Sequence, residues 1–502
     1  MARLRFILVT YPAQGHINPT LQFAKRLAAA TDGGADITFT IPLFAYRRMS
    51  KGLDSKTIET SNGSVISFAA FSIDGYDDGY DSRVGDHQHY HSETSRCGTQ
   101  AITDLVVSAR DDGRPYSFLV CTLLLPWAGF AADKLGLPSA MLWIQPATVF
   151  AIYYHYFYGY GDMIREVFDK KEYRLKTTVP GLSLELTQRD LPSFMDHEDT
   201  YHEAMKIFEE QFEMIRARNE KRILVNTFDE LETEALGAVS GMSLIGIGPL
   251  IPSAFLDEKD PSDKSFGGDL FERSKGKYME WLNSKPETTV VYVSFGSLLD
   301  LPKQQMEEIA KGLLDFGSPF LWVIRKKTQN DEKGGGGDGD DGELSCREEL
   351  DKLGLIVPWC SQVEVLCNES VGCFVSHCGW NSTLESMASG VPVVAIPRWS
   401  DQGTNAKLIE DVWKTGVRVK PNEDGIVASE EIRRCLELVM GGKENEKESG
   451  KENRVEMRRN AKKWKDLAKE ATKEDGSSDQ NLKSFVSKMI RETTVCNDSI
   501  AF

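Results

Sequence analysis

Positive charge is in deficit in this chain. Its 59 lysines and arginines face 76 aspartates and glutamates, a net charge of −17 that repels nucleic acid and anionic membrane surfaces. An anionic ligand is not excluded, since a local pocket can be positive inside a negative shell. Long apolar runs are missing too: nothing approaches the roughly 20 residues that cross a bilayer. Phe6-Ile7-Leu8-Val9 is too short for a secretory signal core and is followed by polar Gln14 and His16. The nine cysteines include no Cys-x-x-Cys pair, and an odd, scattered set reads as reduced thiols of a cytoplasmic protein. A glycine fingerprint is also lacking. Pro12-Ala13-Gln14-Gly15-His16 stands where a Gly-x-Gly-x-x-Gly loop would begin, which sets aside a nicotinamide-dependent oxidoreductase.

What remains is a globular composition, 41% hydrophobic and 27% charged over 502 residues, enough for two or three domains. Short β-rich runs alternate with helical patterns, which reads as α/β with parallel sheets. In the first half the runs are Phe6–Thr10, Ile37–Thr40, Phe118–Cys121 and Met141–Ile144. Asn18-Pro19 is a good N-cap and first-position pair for a helix with Leu21, Ala24, Leu27 and Ala28 on one face. The second half repeats the plan with strands at Val290–Ser294, Phe320–Ile324, Leu355–Val357, Phe374–Ser376 and Val391–Ile396. A helix there starts at Asp300 and Pro302. Gly246–Lys285, rich in Gly, Pro, Ser and Asp, predicts a linker between a first domain, 1–245, and a second, 286–470. Lys327–Glu343 and Gly441–Arg454 are expected to be mobile solvent loops. Two doubly wound domains facing one another follow from this arrangement.

The chemistry concentrates between Trp359 and Gln402. Strand Phe374-Val375-Ser376 leads through His377-Cys378-Gly379-Trp380-Asn381 into a short helix, Ser382–Ser389. A helix N-terminus at the carboxyl end of a parallel strand offers unpaired N–H groups and a positive dipole end, a site for phosphate. Gly379 permits close backbone approach, and His377, Asn381 and Ser382 carry donors for oxygen, so the segment forms a diphosphate cradle that needs no metal. Taken alone, Ser382-Thr383-Leu384-Glu385 is simply a capping box. Adding the aromatic Trp359 and the acid–amide pair Asp401-Gln402 gives a stacking surface for a base, a phosphate site and a polar pair for sugar hydroxyls. That set matches a nucleotide sugar.

Trp359-Cys360-Ser361-Gln362, His377-Cys378-Gly379-Trp380-Asn381-Ser382 and Pro397-Arg398-Trp399-Ser400-Asp401-Gln402 together resemble the signature of plant secondary-product glycosyltransferases, including its span of 44 residues from Trp359 to Gln402. The resemblance runs over the whole chain. Leu123-Leu124-Leu125-Pro126-Trp127 and Ile247–Asp257 look most like the branch of anthocyanin 5-O-, crocetin and hormone-acid glucosyltransferases. It implies the GT-B fold, two facing Rossmann-like domains with an interdomain cleft, and a C-terminal helix, 471–502, that returns to the first domain. It implies that Trp359 stacks on uracil while Cys360 and Gln362 read its edge through the backbone. Glu385 would accept from the ribose hydroxyls. His377, Asn381, Ser382 and Ser297 would hold the diphosphate; Trp380, Asp401 and Gln402 would hold the hexose, Gln402 favouring glucose.

The resemblance also makes His16 the general base, with Gln14 and Gly15 beside the acceptor; from context alone His16 equally reads as a histidine capping the Asn18 helix. Most of the family pairs this histidine with an aspartate, but the matching position here is Thr122, which carries no charge to stabilise imidazolium. A non-catalytic nucleotide-sugar binding protein is therefore the alternative reading. Acceptors that arrive ionised would need less help from the base. Two further signals are open. His87-Gln88-His89-Tyr90-His91, read as an extended segment, would put three imidazoles on one face, as in a metal strand or an acceptor mouth. Trp143 and Gln145, with Tyr153–Tyr158 after them, read either as core or as an apolar acceptor wall. The expected partners are UDP-glucose and a small apolar or aromatic acceptor, with no cofactor, metal, nucleic acid or membrane, and with the chain acting as a monomer.

Overall fold

A computed structural model of the chain describes residues 3–50, 57–60, 62–80, 86–169, 179–199, 202–267, 270, 277–297, 301–325, 344–442 and 448–500. The chain divides into two compact units. The first comprises Met1–Gln188, Phe194–Phe271 and Glu470–Phe502; the second comprises Arg189–Ser193 and Glu272–Lys469.

The first unit is built on eight strands: β1 (Leu4–Val9), β2 (Ala35–Pro42), β3 (Thr57–Glu59), β4 (Val65–Phe71), β5 (Phe118–Thr122), β6 (Ser139–Trp143), β7 (Arg222–Val225) and β8 (Ser243–Gly246). Their order is β3-β4-β2-β1-β5-β6-β7-β8, and every pairing except β3 with β4 is parallel. Phe6, Ile7, Leu8 and Val9 are all buried, as a central parallel strand covered on both faces requires. Strand order reverses between β1 and β5, where Val9 pairs with Cys121. Crevices at such switch points, outside the carboxyl ends of the strands, are where α/β sheets bind ligands.

The second unit has six parallel strands: β9 (Val290–Ser294), β10 (Phe320–Val323), β11 (Leu355–Val357), β12 (Val371–Ser376), β13 (Val393–Ala395) and β14 (Gly416–Arg418). Their order is β11-β10-β9-β12-β13-β14. Val291, Val293, Phe320, Trp322, Val375 and Val394 form the core on one face with Ile309, Leu313, Ile432 and Leu436 from the covering helices. The switch point lies between β9 and β12, where Ser294 pairs with Ser376. The turns after these two strands are therefore neighbours.

Several expectations are corrected. The first helix runs Gln14–Ala29 rather than starting at Asn18-Pro19. Extended Ala13 is its N-cap, with its carbonyl taking the N–H of His16 and Ile17, so Pro19 lies inside the helix. Gly246–Lys285 is not a free linker. Ile247, Leu250, Ile251 and Leu256 are buried, Asn226 Oδ1 accepts from Leu250 N at 2.8 Å, Lys25 pairs with Asp263 at 2.6 Å, and Lys277–Asn283 is a helix. His87–His91 is helical, not extended: Asp86 caps the helix His87–Asp111 by accepting from Gln88 N and His89 N. A helical repeat leaves only His87 and His91 on one face, with ring centroids 4.4 Å apart, and sends His89 towards Tyr76. Asp300 and Lys327–Glu343 lie outside the described residues, while a helix starts at Glu448 within the expected 441–454 loop. The helix Ser477–Ile500 belongs to the first unit; there Ser478 Oγ donates to Gly248 O at 2.6 Å and Phe485 meets Phe118 edge-on.

Candidate active site

At the first unit's switch point, the turn after β1 and the end of β5 bring His16 and Thr122 together. His16 is the third residue of its helix. Its Nδ1 lies 3.4 Å from Thr122 Oγ1, which also accepts from Tyr11 N at 3.2 Å. Thr122 is fully buried. The His16 side chain keeps some solvent exposure, yet burial of the imidazole lowers its pKa to about 3. The positive end of its own helix also opposes a cation there. Tyr11 packs against the imidazole, with ring centroids 5.1 Å apart. His16 is thus a neutral imidazole whose second nitrogen is oriented by a hydroxyl.

Other first-unit candidates take structural positions. Gln14 is buried; its Nε2 donates to Asn18 Oδ1 at 2.5 Å and its Oε1 accepts from Leu270 N at 2.7 Å. Both ends of that amide hold the helix start, with Gly15 half-buried next to it. Trp143 belongs to the core, not to an acceptor wall. It is fully buried among Phe150, Tyr153, Phe208 and Phe212, and its Nε1 donates to Pro146 O. Gln145 is buried beside it. The helix that follows, Ala147–His155, is capped by Glu232, which accepts from Ala147 N and Thr148 N at 2.9 Å each. No local sequence signal points to a cap 85 residues away from the helix it serves.

In the second unit the helix after β12 starts at Trp380, two residues before the expected capping box. Cys378 has φ +63°, and extended Gly379 is the N-cap. The first intrahelical bond runs from Thr383 N to Gly379 O, so the N–H groups of the first turn have no acceptor within the helix. Ser382 and Glu385 do not cap it. Instead, Gln362 Nε2 donates to Ser382 Oγ at 2.7 Å and to Glu385 Oε2 at 2.5 Å, while Tyr292 Oη donates to Gln362 Oε1 at 3.2 Å. Glu385 Oε1 has no protein hydrogen bond among the described residues. Burial raises the Glu385 pKa to about 7, the amide of Gln362 partly opposing it.

His377 is wedged between two glycines. A Cβ on Gly296 would come within 2.7 Å of His377 Nε2, and one on Gly379 within 2.6 Å. Gly296 also has φ +76°, which only glycine adopts easily. Ser297 follows Gly296 and is half-buried, and Arg325 donates to its carbonyl. Burial lowers the His377 pKa to about 4, so the ring is neutral and offers one N–H. Asn381 is half-buried in the first turn of the helix. The Trp380 side chain packs into the core against Trp413, so at the helix tip the residue offers its main chain.

Asp401 and Gln402 are both buried. Asn405 Nδ2 ties Asp401 Oδ2 at 2.7 Å to Cys378 O at 2.8 Å, joining this loop to the turn after β12. Gln402 Oε1 accepts from Arg398 N and Trp399 N. Asn405 was legible as an i,i+4 partner of Asp401, whereas Tyr292 carried no signal beyond strand propensity. Trp359 is half-buried on the loop after β11, and Cys360 is buried with Sγ 3.5 Å from Tyr292 Oη. Tyr278 Oη accepts from Ser361 N at 3.3 Å and fixes the same loop.

Two parallel α/β units, one with a helix N-terminus at its switch point beside an aromatic and an acid–amide pair, define a nucleotide-sugar transferase of GT-B fold. Residues 270–459 match the family described as UDP-glucoronosyl and UDP-glucosyl transferase. Phloretin 4'-O-glucosyltransferase from Malus domestica is 57% identical over 97% of this chain and 98% of its own. Crocetin glucosyltransferase from Gardenia jasminoides is 53% identical over 96% of each. The crystal structure of Os79 from O. sativa in complex with UDP is 33% identical, has a TM-score of 0.78, and is matched over 96% of this chain and 100% of that one. The chain belongs to the plant branch of the UDP-glucosyl transferase family, and it is a UDP-glucose-dependent O-glucosyltransferase of plant secondary metabolism.

Proposed function

We propose that the enzyme is an inverting, metal-independent glucosyltransferase that works best on acceptors whose oxygen is acidic. The acceptor oxygen, already ionised or passing its proton to His16, forms a bond to the anomeric carbon of α-linked UDP-glucose. The bond to the diphosphate breaks with its electron pair leaving on UDP, and a β-glucoside results. In this reading the diphosphate lies at the first turn of helix Trp380–Ser389 with His377, Asn381, Ser382 and Ser297 around it. The helix dipole and these donors take the leaving charge, so no metal is required. Trp359 stacks on uracil, Glu385 Oε1 accepts from the ribose, and Asp401 and Gln402 hold the hexose.

One observation carries the acceptor preference: His16 has a hydroxyl, Thr122, where a carboxylate would stabilise imidazolium. A hydroxyl orients the imidazole but does not compensate a positive charge formed on it. With a pKa of about 3, the ring is a weak base. It suits a carboxylic acid, ordinarily near 4 and already ionised at neutral pH, or an acidic phenol, whose unperturbed pKa is about 10. An aliphatic alcohol asks for much more. The relatives named for phloretin, crocetin and anthocyanidin 3-O-glucoside fit this range of acceptors.

The test is a panel of carboxylic acids, acidic phenols and alkyl alcohols with UDP-glucose, followed by mass spectrometry and alkaline lability to separate esters from ether-type glucosides. Acids and acidic phenols are expected to lead by at least about tenfold in kcat/KM, roughly one pKa unit of transition-state energy. Alcohols turned over as fast would refute the reading. Thr122→Asp should raise alcohol turnover, with Thr122→Asn as the uncharged control. A chelator should leave activity unchanged. The proposed compartment is the cytoplasm, supported by the eight described cysteines all being unpaired.

A further inference from the structure

Five residues, Arg189–Ser193, are packed in the second unit although their sequence neighbours on both sides belong to the first. They close on the hexose loop at four points. Ser193 N donates to Ser400 O at 2.9 Å, and Ser400 N donates back to Ser193 Oγ at 2.8 Å. Thr404 Oγ1 donates to Asp190 O at 2.6 Å. A Cβ on Gly403 would lie 2.3 Å from Arg189 O, so the strap passes directly over that glycine. Asp190 itself is buried and anchored by Arg418 at 2.6 Å, with Lys407 at 3.9 Å; Arg418 also donates to Arg189 O.

The residue gripped from both sides is the one that most needs holding. Ser400 has φ +59°, a left-handed conformation that a side chain disfavours and that persists only where its surroundings over-determine it. Asp401 and Gln402 follow it directly. A relaxed Ser400 would swing both side chains, because a change of backbone dihedral redirects everything downstream within the loop.

We propose that the strap Arg189–Ser193 is a positioning element of the donor site: Ser193 holds Ser400 in its left-handed conformation, and Asp190 anchors the strap, so that Asp401 and Gln402 are aimed at the hexose. This rests on the assignment of Asp401 and Gln402 to the sugar. In this proposal Asp190 and Ser193 act through Ser400 and its loop.

Because the strap acts on the hexose end alone, its loss should separate sugar from nucleotide. Ser193→Ala is expected to lower kcat/KM for UDP-glucose by about tenfold, the loss of one hydrogen-bonded clamp on a strained residue. It should narrow the preference for UDP-glucose over UDP-galactose and leave the Kd of UDP within about twofold. Asp190→Asn should act in the same direction. Ser193→Thr keeps the hydroxyl and should retain native kinetics. Glycine adopts the left-handed conformation without help, so adding Ser400→Gly to Ser193→Ala should restore a large part of the loss. Native UDP-glucose kinetics in Ser193→Ala, an equal loss of UDP and UDP-glucose binding, or no recovery with Ser400→Gly would each overturn the proposal. Asp401→Ala distinguishes the two claims. If it leaves UDP-glucose kinetics untouched, the hexose assignment fails; if it is impaired while Ser193→Ala is native, the strap proposal alone fails.

Discussion

Glu385 and His16 are both displaced from their ordinary ionisation, in ways that pH experiments resolve. Burial holds Glu385 near pKa 7, above the unfolded value of about 4.3. Its protonated form therefore favours the fold, a contribution complete below the unfolded value and lost as pH rises through 7. A ribose hydroxyl donating to Oε1 favours the ionised form instead. UDP binding should release a proton near pH 7 and tighten between pH 6 and 8, read by calorimetry in buffers of different ionisation enthalpy; Glu385→Gln should abolish the release. His16 is lowered to about 3, so it stays neutral across the physiological range. With an acceptor ionised throughout, kcat/KM should show no falling acid limb from His16 down to about pH 4. In Thr122→Asp a carboxylate facing Nδ1 raises that pKa, and an acid limb should move towards neutrality.

Helix ends carry much of the site. Glycine at 296 and at 379 leaves room for the His377 ring. Gly296→Ala, with a Cβ clash and an unfavourable φ, should weaken UDP binding at least about tenfold, measured by calorimetry. Glu232→Ala leaves two buried N–H groups of helix Ala147–His155 without their acceptor. It should cost about 1–3 kcal/mol and lower Tm by several degrees in a thermal melt. These ends were also where the sequence misled. Ser382-Thr383-Leu384-Glu385 has the capping-box pattern, yet left-handed Cys378 and extended Gly379 start the helix earlier, and Gln362 claims the side chains the box would have used. Pro19 suggested a helix start that Ala13 supplies instead. Caps drawn from distant segments, such as Glu232, leave no local pattern to find.

Across the whole molecule, β9 was legible because it is buried throughout, and Val290–Ser294 has the bounds expected from sequence; Leu355–Val357 also has its expected bounds, although it is a partly exposed edge strand. The edge strands β8 and β14, also short and partly exposed, were not. Nor was the strap at Arg189–Ser193, whose place depends on partners some two hundred residues away. The boundary between the two units, Phe271 to Glu272, falls inside the expected linker, but the packing of that segment was not legible. Its Gly, Pro and Ser content suggested a connecting segment, while Ile247, Leu250, Ile251 and Leu256 are buried in the first unit and Tyr278 and Leu282 in the second. Of the candidate residues, His16, Thr122, Ser297 and His377 lie at the ends of the strands that flank the two switch points, while Trp359 follows β11 and Asp401 and Gln402 follow β13. A crystal structure of the full chain with UDP tests that account most directly. It should show uracil against Trp359, ribose on Glu385, and phosphates at the first turn of helix Trp380–Ser389 beside His377. A nucleotide bound away from that helix tip would contradict it.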